Sequence, residues 1–168
     1  MPVLAVAVAL ATTALPARAQ HSAHAAGAEA NSLKVAQTGA VLRDLWVGHV
    51  FWVRNVVVAK IAGNGAAGAA AEKQVVANAQ QIAASIEPFY GKDASDKLFS
   101  LLAAHYGAVK QYLDAAGDEA KQEAALKALA DNAGEIATFL SSANPNLPRD
   151  AVLGLLAAHG GHHVQQIQ

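Results

Sequence analysis

Apolar residues recur three and four positions apart along most of this chain, a spacing that predicts amphipathic helices. The first stripe reads Leu42, Leu45, Trp46, His49, Trp52, Val53, Val56, and predicts a helix from about Leu33 to about Ile61. Gly63–Gly68 breaks it. A second helical stretch follows from about Ala70 to Ile86, with Pro88 expected to stop it. A third carries Leu98, Leu101, Leu102, His105, Val109 and Tyr112 on one face, with Asp93 or Ser95 as candidate caps. Asp118 is placed to cap a fourth helix running to about Leu140. Ser141–Pro148 reads as a loop. A fifth helix starts near Pro148 or Arg149, with Val152, Leu155, Leu156, His159 and His163 as its stripe, and Gly160 and Gly161 are expected to weaken or shorten it. Short connections between such helices predict an all-α, up-and-down bundle of about five helices.

The pattern also repeats. Leu101-Leu102-Ala103-Ala104-His105 recurs as Leu155-Leu156-Ala157-Ala158-His159, 54 residues later. Laying residues 78–114 on 132–168 without a gap gives twelve identities in 37 positions, including Asn78 on Asn132, Ile82 on Ile136 and Asp96 on Asp150. A fainter copy superposes Leu42, Leu45, His49 and Val53 on Leu98, Leu101, His105 and Val109. The expectation is an internally duplicated helical hairpin, with one histidine-bearing helix used three times.

Composition sharpens this only in places. Alanine dominates, which favours helix. Charged residues make up 15% and the formal net charge is −1, so no basic nucleic-acid footprint is present. Cysteine is absent, which removes disulfides, thiolate metal sites and thiol nucleophiles. Residues 3–15 form an apolar run the length of a signal-peptide core, too short for a membrane span, and Ala17-Arg18-Ala19 has the small-x-small form of a cleavage site. The expected organisation is a signal peptide over 1–19, a flexible tether over 20–32 and a bundle over 33–168, exported to the periplasm or secreted, with no transmembrane segment after leader removal. The missing basic segment before the apolar run leaves two readings, a start upstream of Met1 or a buried apolar helix that is not a leader, and Pro16 with the polar stretch after it favours the first. His21 and His24 read as part of the tether rather than as a copper site.

The repeat puts His49, His105 and His159 at one point on the apolar faces of three parallel helices. Asn78 and Asn132, counted along the intervening helices at ~1.5 Å per residue, fall within about one turn of the next histidine. Imidazoles converging from separate helices are a known way to build a site in a bundle, and they suit Zn, Cu, Fe or Ni, or the iron of haem. His163 lies one turn beyond His159, the spacing that lets two imidazoles share one ion. His163 or Glu135 is therefore the candidate fourth ligand, and the asparagines could fix the imidazole tautomers. Set against this, a buried neutral histidine bonded to a copied asparagine is also a satisfactory core residue.

Other motifs are thin. Gly63-Asn64-Gly65-Ala66-Ala67-Gly68 is formally G-x-G-x-x-G, but helical periodicity precedes it and no second strand follows, so it reads as a helix connection. No nucleophile–base arrangement or paired catalytic carboxylates stand out. Trp46, Phe51 and Trp52 read as core or partner-facing, and His162 as exposed.

The segment Leu45-Trp46-Val47-Gly48-His49-Val50-Phe51-Trp52-Val53-Arg54 resembles a group of small, functionally uncharacterised bacterial helical proteins with the pattern L-W-x-x-H-x-x-W-x-R. The resemblance continues at Pro88-Phe89-Tyr90-Gly91, through Asn132–Leu140 and at Asn144-Pro145. It implies a helical bundle with His49, His105 and His159 in matching segments, and no particular activity. Names attached automatically to such sequences, including glycosyltransferase and acetylglutamate kinase, find no support in these residues. The leading expectation is an exported bundle that binds a metal ion or metal-containing cofactor through inward histidines. A metal-free envelope interaction module with core His–Asn pairs and a metal-dependent enzyme of unknown substrate are the alternatives.

Overall fold

The computed structural model describes the backbone of residues 17–168 and the side chains from Ser32 onward. Residues 1–16 of the expected signal peptide, and the side chains of His21 and His24, lie outside the described residues. Among the described residues the chain is helical throughout: α1 (Ala17–Ile61), α2 (Gly65–Tyr90), α3 (Lys92–Asp114), α4 (Glu119–Ala143) and α5 (Arg149–Ile167). Residues Val41–Gln168 form one compact unit, and the described residues up to Ala40 belong to another. The compact unit is an up-and-down bundle in which α3 packs against α2, α4 and α5. No helix among the described residues is long and apolar enough to cross a membrane.

The helix boundaries show where local chemistry decided and where it did not. α1 begins at Ala17, so residues 20–32 are helical where the composition suggested a tether. Alanine-rich sequence with no proline between Pro16 and the Gly63 turn gives this stretch little that stops a helix. The Asn64 side chain accepts from the Ala67 amide at 3.0 Å, starting α2 at Gly65 rather than near Ala70. Pro88 does not stop α2. It sits in the last turn, where it removes one i→i−4 hydrogen bond but leaves only two further helical residues to be disturbed, and the helix ends at Gly91 with φ +81°. Gly91 also precedes α3 without a side-chain cap, so neither Asp93 nor Ser95 takes that position. Asp118 caps α4 as expected, accepting from Lys121 N at 3.1 Å.

α5 runs straight through Gly160 and Gly161 to Ile167, where an early end was expected. Packing explains the difference. A Cβ at Gly160 would lie 3.2 Å from Leu129 Cδ2, so the glycine lets α5 sit close against α4. At Gly161 a Cβ would meet nothing within 4 Å. Gly161→Ala is therefore expected to stabilise the protein by roughly 0.5–1 kcal/mol through the lower entropy cost of alanine in a helix. Thermal unfolding should show a midpoint a few degrees higher.

The core has two parts. Val53, Val56, Val57, Ala71, Val75, Ala108, Val109, Leu113 and Leu129 make one cluster. Ala79, Ile82, Ala83, Leu98 and Leu102 make the other, with Leu45 and Phe139 packed against it. Between them each of α1 to α4 contributes a buried polar residue: His49 between Leu45 and Val53, Asn78 between Val75 and Ala79, His105 between Leu102 and Ala108, Asn132 between Leu129 and Phe139. Exposed ion pairs (Lys60–Asp114 at 2.7 Å, Lys110–Glu72 at 3.3 Å) link α1, α2 and α3 beyond the first cluster and add little net stability.

Candidate metal centre

The polar layer is held by backbone as well as side chains. Asn132 Nδ2 donates to the Leu101 carbonyl at 3.0 Å, one helical turn before His105. That contact fixes which way the amide faces and leaves Oδ1 for the imidazole. His105 Nδ1 lies 3.2 Å from Asn132 Oδ1, which can only accept, so Nδ1 carries the proton and Nε2 the lone pair. Nε2 is buried and has no hydrogen-bond partner.

The same construction recurs between α1 and α2. Asn78 Nδ2 donates to the Leu45 carbonyl at 2.9 Å, one turn before His49. Gly48 gives it room, since a Cβ there would lie 3.3 Å from Asn78 Nδ2. Here the second bond is not closed: Asn78 Oδ1 and His49 Nδ1 are both buried without partners.

α5 supplies the other two imidazoles. His159 and His163 face each other across one turn with their Nε2 atoms 3.0 Å apart. One nitrogen from each of His49, His159 and His163 lies within 4.8 Å of the others. His105 flanks this group, its ring stacked near-parallel on His159 with centroids 5.8 Å apart and 6.3 Å from that of His163. Trp46 stands edge-on to His49 at 5.7 Å and is 40% exposed.

Sequence spacing thus placed the four histidines in one neighbourhood, but not their grouping. The tightest trio is His49, His159 and His163, and His105 is the flanking member. Glu135 is not brought to them. It is exposed on the outer side of α4, in a shallow depression with Lys97, Asp131 and Arg149. His162 is exposed, as its position predicted.

The histidines are poor bases. Burial, reinforced by the positive charge the neighbouring imidazoles would carry, lowers His49 and His105 from 6.5 to about 4 and His163 to about 3. His159 is lowered chiefly by burial, and exposed His162 adds to the effect. All four are neutral at pH 7; the 3.0 Å contact between His159 and His163 places a proton on one of the two Nε2 atoms, which an ion bound by both would displace.

No family model, curated protein or solved structure matches the chain. The site's chemistry therefore rests on its own residues. The donor set is nitrogen only, which suits Zn, Cu, Ni or Fe and not the oxygen-preferring Mg or Ca. Tetrahedral zinc with Zn–N of ~2.05 Å needs nitrogens about 3.4 Å apart. The observed group has one pair at 3.0 Å and all three nitrogens within 4.8 Å, a spacing that brackets this value.

The glycine-rich segment has a different role. Gly63 adopts φ +65° in the turn between α1 and α2, and Asn64 caps α2. The nearby lysines, Lys60 and Lys110, are paired with Asp114 and Glu72. The segment connects two helices, with no strand before it.

Proposed function

We propose that this protein is a helical-bundle binder of a first-row transition-metal ion, held by His49, His159 and His163 with His105 beside them. The observation that carries the reading is the convergence of three neutral imidazole nitrogens within 4.8 Å in a buried layer. A purely structural role accounts well for the His105–Asn132 pair. It leaves His49 Nδ1, His105 Nε2 and His163 Nδ1 buried and unbonded, a cost of about 1–3 kcal/mol each. Ligation relieves part of that cost. The closeness of the rings favours a bare ion over haem, because centroids 4.4–6.0 Å apart leave no plane between them for a macrocycle. The recurrence of the Asn–carbonyl contact at both Asn78 and Asn132 supports descent from a duplicated hairpin. The leader-like run before Ala19 supports an exported location.

Equilibrium dialysis of untagged protein against Zn, Cu and Ni tests the reading. The expected result is about one ion per chain, a loss of at least about 100-fold in affinity for His163→Ala, and no change for His162→Ala. Because folded His49 does not titrate until about pH 4 and His163 until about pH 3, proton competition at these two ligands should weaken affinity little between pH 7 and 5 while the protein remains folded. An ordinary exposed histidine site weakens over that range. Equal binding by wild type and His163→Ala would remove the proposal.

A further inference from the structure

A second space adjoins the histidine layer. A cavity of about 260 Å³ opens between the helices on the side of the Ile82–Leu102 cluster. Its walls are aliphatic, with Ile82, Leu98, Leu102 and Ile136 among them, and His49, His105 and His159 also line it. Trp46 and Leu147, 40% and 39% exposed, are its lining residues most open to solvent. Ser85 adds a hydroxyl, but that group donates to its own helix at Ile82 O. No Asp, Glu, Lys or Arg lines the space.

We infer that this cavity is a binding site for a compact, uncharged aromatic molecule set against the histidine layer. Three observations select that class. The size suits it: apolar cavities of about 150 Å³ accept benzene, so this one takes a ring with a short substituent. The lining excludes ions, because a buried charge would have no partner among these side chains. The Trp46 indole and the His49 imidazole, edge to face at 5.7 Å, supply the ring faces and edges on which aromatic molecules settle. A single uncharged polar group can be accommodated at the imidazoles, which are neutral at pH 7.

The inference stands apart from metal binding, so its test uses metal-free protein. The probes are 4-propylphenol and its charged counterpart 4-propylbenzoate, followed by calorimetry and by methyl NMR of Ile82 and Ile136. The expected result is saturable binding of the phenol, shifts at both isoleucine methyls, and at least tenfold weaker binding of the benzoate. Ile86→Trp, which fills the space from α2, should weaken phenol binding at least tenfold. Leu140→Trp does the same from α4 and covers the case in which one variant fails to fold. Zinc uptake, measured on separate aliquots of the same preparations, should be unchanged in both variants. Equal affinity for phenol and benzoate, undiminished binding in the folded Trp variants, or an absence of isoleucine shifts overturns the inference. Phenol binding by a protein that takes up no zinc overturns the metal reading alone.

Discussion

Acidification should unfold the metal-free protein between about pH 6 and pH 4, starting above the range in which carboxylates titrate. An unfolded histidine takes up a proton near 6.5, whereas folded His49 and His105 do so only at about 4 and His163 at about 3. Below 6.5 the unfolded state therefore binds more protons than the folded state. Stability falls as pH falls, and flattens only when the folded groups titrate. One pH unit of this difference is worth about 1.4 kcal/mol per group. At pH 5 the three buried histidines together remove roughly 6 kcal/mol, comparable with the ~5–15 kcal/mol that holds a typical domain together. Urea unfolding monitored by circular dichroism from pH 8 to pH 4 measures the effect. His163→Val places at this position the residue found at Val109 in the aligned repeat, and should reduce proton uptake on unfolding near pH 5 by about one. A pH-independent stability between 7 and 5 would contradict burial of these imidazoles in neutral form. Saturating zinc should move the acid transition to lower pH, because it binds only the folded arrangement.

Asn132→Leu should destabilise the protein by about 2–4 kcal/mol, although leucine is close in size. The substitution removes the 3.0 Å bond to Leu101 O and the 3.2 Å bond from His105 Nδ1. The carbonyl keeps its helical partner, but the buried Nδ1–H is left with none, and that orphaned donor carries most of the cost. Asn78→Leu should cost less, because Asn78 makes only the 2.9 Å bond to Leu45 O while its own Oδ1 is unbonded. The ordering of the two urea midpoints is therefore the decisive comparison. Asn132→Leu should also release the His105 tautomer, seen as a change in the ¹⁵N shifts of its ring. An equal effect at both positions would mean that the Asn132–His105 bond contributes nothing beyond the amide–carbonyl contact.

Much of this was legible in the residues. Periodicity of 3.6 marked every helix of the bundle. The repeated Leu-Leu-Ala-Ala-His gave the register that brought the histidines to one level. The i, i+4 pair His159 and His163 needed only helical geometry to face one another. Glu135 was proposed from its proximity to Asn132 along the chain. Three residues on a helix amount to about 300°, about 60° short of a full turn, and that offset carries Glu135 off the buried line of Asn132 to an exposed position.

The helix ends were less legible. Pro88 and the Gly160-Gly161 pair are strong local signals, yet neither ended its helix. Pro88 removes one hydrogen bond only two residues before the helix ends, and Gly160 is there for Leu129, a residue about thirty positions away that no local rule can see.

The sequence by itself determined an all-helical chain, its helix count and the histidines that share a level, because these follow from bonds and spacings within a few turns. Only the tertiary structure decided which three imidazoles approach within 4.8 Å, that His105 is tied to Asn132 with its Nε2 lone pair unbonded, and that an apolar cavity adjoins them. Those outcomes depend on how closely α5 packs on α4 and on the rotation of each helix about its axis. Both are set by side-chain volumes on facing helices, which no single helix's pattern contains.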